Sequence, residues 1–240
     1  MGAALAVSLV MAAVVLASPA WAAPYTVINT NDSGTGSLRQ AIIDANTTTG
    51  VADTINFGSN LGSAATITLT SAQLPNITDG AGLTIDGGSA DITISGANKY
   101  RVFEVDSGAK LTLSNLTVAN AHATTHGGGI NNKGGTVTVS NSTLSGNIAA
   151  YGGGGGIFNT PFGSATLKNT IVAKSPSGGS CSGTITNGGY NLDSGTSCGF
   201  PTQNSSKDPL LGPLADNGGP TKTHALLEGS PAIDKGNSLP

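Results

Sequence analysis

The chain has 240 residues, a formal net charge of −3, 10% charged and 4% aromatic residues, and 36 glycines. So much glycine without a three-residue period excludes collagen, and 38% hydrophobic residues at so small a net charge exclude a disordered chain. Ten basic residues give no electrostatic footprint for a nucleic acid.

Residues 2–18 are an uncharged apolar run, and Ala20 and Ala22 stand where an A-x-A cleavage site requires small side chains. Residues 1–22 therefore read as a signal peptide, against the alternative of a short membrane anchor. No second apolar segment follows, so the mature chain is expected to carry no membrane span. It is expected to act as a secreted, extracellular or bacterial cell-surface monomer, in a compartment that permits disulfides.

Residues 23–60 read as an N-terminal cap. Within them SLRQAIIDAN (37–46) is a helix: Leu38, Ala41, Ile42 and Ala45 share one face, and Ser37 with Gln40 forms a capping box. Such a helix suits the open end of a stacked array.

Residues 61–200 read as repeats. KLTLSNLTVANAHATTHGGGINN (110–132), GTVTVSNSTLSGNIAAYGGGGGIFN (135–159) and SATLKNTIVA (164–173) align, with GLTIDGG (82–88) and DITISGAN (91–98) as a weaker pair before them. Their period-2 alternation of Val, Leu, Ile and Thr predicts short strands rather than helices. At a period of 20–30 residues such strands fit the coils of a right-handed parallel β-helix, an all-β solenoid. Asn115, Asn141 and Asn169 recur 26 and 28 residues apart and are expected to form an internal ladder of stacked amides. The glycine runs become corners that drop Ile130 and Ile157 into the core. Cys181 and Cys198, the two cysteines, predict one disulfide. Residues 201–240 read as an irregular C-terminal cap, whose prolines argue against regular strands and whose Leu210, Leu211, Leu214, Leu226 and Leu227 are available to seal the end of the solenoid.

Together these segments resemble a family of bacterial exported right-handed parallel β-helix proteins. DSGTGSLRQAIIDANTTTGVADTINF (32–57) is similar to the family's CSLREA-type opening motif, with Gly36 at the cysteine and Gln40 at the glutamate. The GGGI-N and S-N-S-T-L-S-G-N patterns resemble polymorphic outer membrane protein repeats. The stretch from Asp208 to Gly236 is similar to the C-terminal motif of choice-of-anchor proteins. The resemblance implies a secreted or surface-exposed β-helix, in some members joined to a sorting signal or an autotransporter barrel.

The chemistry is sparse. A calcium-dependent lyase needs clustered carboxylates for the metal and a basic residue for the proton. Asp86, Asp91 and Arg101 are the best such set, although Asp86 lies in an I-D-G-G turn where aspartate bonds its own backbone. No Asp or Glu occurs between Leu111 and Ala173. His122 and His126 read as loop histidines without a third ligand, so no metal site and no cofactor is expected, calcium entering only under the lyase alternative. Tyr151, Phe158 and Phe162 are the one aromatic cluster of the repeats and the candidate ligand contacts. The favoured role is structural or adhesive, with a polysaccharide or cell-surface ligand. The alternative is a lyase or glycoside hydrolase acting on acidic polysaccharide.

Overall fold

Alternation fixes which side chains turn inward, and stacking decides what they meet. In the computed structural model, which describes residues 24–62, 65–90, 92–216 and 222–236, the chain winds as a parallel β-solenoid of about six turns, consistent with a right-handed coil. The segment read from sequence as a signal peptide, residues 1–22, and Asp91 lie outside the described residues.

Three parallel sheets run along the solenoid. The first stacks Pro24–Val27, Asp53–Phe57, Leu83–Asp86, Lys110–Ser114, Thr136–Ser140, Ser164–Lys168 and Thr186–Asn187. The second stacks Thr66–Thr68, Ile92–Ser95, Leu116–Ala119, Thr143–Ser145, Ile171–Ala173 and Leu192–Asp193. The third stacks Phe103–Val105, Ile130–Asn132, Ile157–Asn159 and Cys181–Ser182. Register is strict: Val137 pairs with both Leu111 and Ala165, and Ile130 with both Phe103 and Ile157. These inward side chains are all at most 1% exposed and form one continuous core. The first sheet already includes Pro24–Val27 and Asp53–Phe57, strands within the segment read from sequence as a cap.

The helix spans Leu38–Ala45 and buries the four residues its pattern names. Its capping box is half formed. The Ser37 hydroxyl accepts from the Gln40 amide, while the Gln40 side chain turns to Asp44 instead of back to the cap. The residue that locks this end is Arg39. Its guanidinium pairs with Asp32 at 2.6 Å and donates to the carbonyls of Gln73 and Ala72. Asp32 also accepts from the Ser71 amide and hydroxyl. Burial alone would raise the Asp32 pKa, but the hydrogen bonds from Ser71 and Arg39 and the charge of Arg39 outweigh it and hold this carboxyl at about 2, below its ordinary 3.8. The folded value is depressed, so the contribution is present above the ordinary value and lost as pH falls toward the folded one. It is worth about 2 kcal/mol. Asp32→Asn is therefore expected to lower the melting temperature at about pH 5, and the gap from wild type to close by about pH 2. A gap that persists in acid would show that Asp32 acts by shape alone.

Glycines take the coil into the third sheet. At Gly154, with φ +59°, an added Cβ would lie 2.0 Å from the Ile157 carbonyl oxygen, so no larger residue fits. Ile130 and Ile157 then enter the core fully buried.

The far end departs from expectation in two respects. The prolines do not exclude strand: Leu211–Asp216 pairs antiparallel with Lys222–Leu226, and the register shifts between Leu211 and Leu214, where Pro213 has no amide hydrogen to give the ladder. Nor do Leu226 and Leu227 turn inward, although Leu211 is buried. Cys198 and Phe200 join the core, whereas Leu226 and Leu227 are exposed and the strand pair lies along the outside of the second sheet. Lys174 tethers it by donating to the Leu211 carbonyl at 2.6 Å. The Cys181–Cys198 disulfide is present and ties the last strand of the third sheet to this closing loop.

Candidate functional site

Strand alternation throws one residue per coil onto the outer face of the third sheet. Phe103 and Val105 point inward, so Glu104 points out, and the register places Asn131, Phe158 and Ser182 in line with it. Parallel strands set successive members about 4.8 Å apart.

Glu104 is the centre of a dense network. Its side chain is only 7% exposed, covered by Arg101 and Lys133. Arg101 pairs with one carboxylate oxygen, to which Asn131 also donates at 3.1 Å. Lys133 holds the other at 2.5 Å, joined by Asn76 at 3.2 Å. The same Asn76 amide reaches Asp106 at 3.1 Å, so two carboxylates share one donor. Burial would raise the Glu104 pKa, but hydrogen bonds from Lys133 and Asn131 and the charges of Arg101 and Lys133 outweigh it and keep the carboxyl below its usual range. Burial pulls the Arg101 guanidinium below its ordinary value, with Glu104 acting in the opposite direction. Arg101 spends its remaining donors on Gln73, Thr125 and the carbonyls of His126 and Gly127.

Beside this network lies an aromatic step. The rings of His126 and Phe158 stand 4.5 Å apart at 34°. Tyr151 and Phe162 sit in turns on either side of Ile157–Asn159, 79% and 91% exposed. The aromatic residues of this coil thus border the third sheet and leave the core to aliphatic side chains. His122 is not in a loop: His122–Ala123 is a short strand paired with Ile148–Ala149.

Of the acidic set named from sequence, Asp91 lies outside the described residues, and Asp86 and Arg101 take different partners. Asp86 ends a strand of the first sheet, where it accepts from the Gly88 amide at 2.9 Å and from Asn115 at 2.7 Å. Burial works against its charge, yet these bonds, with one from Ser114, leave its pKa lowered. Arg101, at the approach to the third sheet, takes Glu104 as its carboxylate. Among the described residues no three His, Cys, Asp or Glu side chains converge.

Asn115, Asn141 and Asn169 all adopt left-handed backbone, with φ of 55°, 48° and 49°, at the corner between the first and second sheets. Asn169 donates to Asn141 at 2.9 Å. Asn141 is exposed and the other two half-buried, so this row follows an outer corner. The internal stack is a different pair. Asn132 and Asn159, at most 2% exposed, bond to each other at 2.8 Å, and Asn132 also bridges the amide and carbonyl of Gly135. Both stand in the GGGINN and GGGGGIFN segments, and the in-register spacing of those segments was the signal available for them.

The fold and this face define the class: a parallel β-solenoid with a polar and aromatic outer strip. The chain matches no family model and no curated protein.

Proposed function

We propose that the protein is an exported β-helix with a structural or adhesive role, holding a glycan or cell-surface ligand along the outer face of its third sheet. The observation that carries this reading is the row Glu104, Asn131 and Phe158, where a fixed hydrogen-bonding network adjoins an aromatic step. Sugars present hydroxyls at their edges and C–H groups on their faces; the half-exposed Lys133 ammonium at the edge of the network and the Phe158 ring beside it offer a partner for each. The disulfide fits an oxidising exterior, and no helix among the described residues is long and apolar enough to cross a membrane.

The lyase or hydrolase alternative draws on the same cluster, since Glu104, Asp106 and Arg101 share it. The geometry favours binding over catalysis. Proton transfer needs a group free to gain or lose a proton near neutral pH. Glu104 is held ionised by two cations, and every Arg101 nitrogen is already bonded.

The test is a glycan array read with wild type and Phe158→Leu, which keeps apolar volume and removes the ring. The variant is expected to bind about tenfold more weakly at unchanged melting temperature. Absence of any wild-type binding leaves only a scaffold. Rising ultraviolet absorbance on incubation with pectate and calcium would replace binding by lyase chemistry.

A further inference from the structure

The outward row of the second sheet reads Thr66, Thr93, Thr117, Thr143 and then Ile171 and Leu192, each paired in register with the next. Hydroxyl side chains give way to aliphatic ones toward the C-terminal end of the sheet, on the flank that the C-terminal segment covers. Covered aliphatic surface ordinarily packs closed, since interiors tolerate few voids larger than a water. Here it does not. Ile171 and Leu192 face Leu226, Pro231 and Ala232 across a cavity of about 520 Å³. That volume falls within the range of about 300–1,000 Å³ seen for small-molecule sites.

Tyr190, 55% exposed, lines the same cavity, its backbone in the left-handed region at φ 57°. A bulky residue held there is strained, and strain of this kind gathers at ligand sites. Tyr190 thus supplies the cavity's one aromatic lining residue, the kind of side chain a planar guest stacks on.

From these features we infer a ligand site between the C-terminal segment and the second sheet that takes an uncharged, hydroxyl-bearing aromatic ring, a phenol. The walls are aliphatic and the rim charges, Asp234 and Lys235, are of opposite sign, which favours a neutral ring. Few polar partners remain for it. Asn169 donates to Asn141, and Asn191 is occupied by Thr170, Leu167 and Asn187. Gln203 and Asn204 are left to meet one or two hydroxyls. A pyranose, with hydroxyls around its whole edge, would leave several unsatisfied against apolar walls, each at a cost.

Calorimetric titration of the full chain with 2-naphthol, and separately with methyl β-glucopyranoside, tests the assignment. Saturable binding of 2-naphthol at one site is expected. Ile171→Trp, which fills the cavity, and Tyr190→Gly, which removes the ring while relieving the backbone, should each weaken it by about tenfold. Circular dichroism checks folding, and if Ile171→Trp does not fold, Tyr190→Gly decides. No saturable 2-naphthol binding, equal binding in the variants, or glucoside binding as tight as that of 2-naphthol would each overturn the inference. So would loss of binding in Phe158→Leu alone, which would place the probe on the third sheet.

Discussion

Glu104→Ala is expected to lower the free energy of unfolding by about 4 kcal/mol, within the range for removing one partner of a buried ion pair. Arg101 has a side chain only 13% exposed and would keep its charge with no carboxylate beside it. Asn131 and Asn76 would each lose an acceptor. Lys133, half exposed, would simply return to water. Urea denaturation gives the measurement, read from the midpoint at unchanged slope. A loss below about 1 kcal/mol would show an ordinary solvent-screened surface pair. Replacing Arg101, Glu104 and Lys133 together by apolar residues should recover much of the loss, because the penalty lies in stranding a charge.

The second large effect concerns the closing loop. Cys181→Ser with Cys198→Ser removes a link across a separation of 17 residues, and about 3 kcal/mol should go with it. The damage is expected to be local at first. In a solenoid each coil is stabilised by its neighbours, and the last one has a neighbour on one side only. Its strands Thr186–Asn187 and Leu192–Asp193 are two residues long. Cys198 is held by the buried Asp193 carboxylate, which accepts from its amide, and Phe200 follows directly into the core. Hydrogen exchange in the double variant should therefore accelerate over residues 181–200 before residues 110–140. Uniform acceleration would mean that the bond supports the whole stack.

Much of the architecture could be read from residues alone. Val137 and Val139 alternate with Thr136 and Thr138, a local pattern that survives into the sheet unchanged. Asparagine at the corner is likewise local, since its side chain makes left-handed backbone tolerable whatever surrounds it. The site was less legible because it rests on partners distant in sequence. Arg101 and Glu104 are three residues apart, yet what makes Glu104 central is the arrival of Lys133, 29 residues on, and Asn76, 28 residues back. No composition signal marks a carboxylate that neighbouring coils will bury. The same applies to Asn132, which looks like any corner asparagine until Asn159 is stacked upon it. The exposure of Leu226 and Leu227 was not legible for a related reason. Hydrophobicity says that a segment is covered or covers something, without saying whether it crosses the end of a solenoid or its flank.

Strict stacking also makes the length of this molecule adjustable. Thr136 lies over Lys110 and under Ser164, and Ile130 over Phe103 and under Ile157. An excision of residues 110–135 would join Ala109 to Thr136 and set Val137 upon Leu83 and Ile157 upon Phe103, keeping the aliphatic and aromatic core rows in register while it takes Asn132 from Asn159 and Lys133 from Glu104. Insertion of a coil would extend the outer strips by one step without redesigning either end. Reach, for such a chain, can change in whole coils while the core rows stay in register.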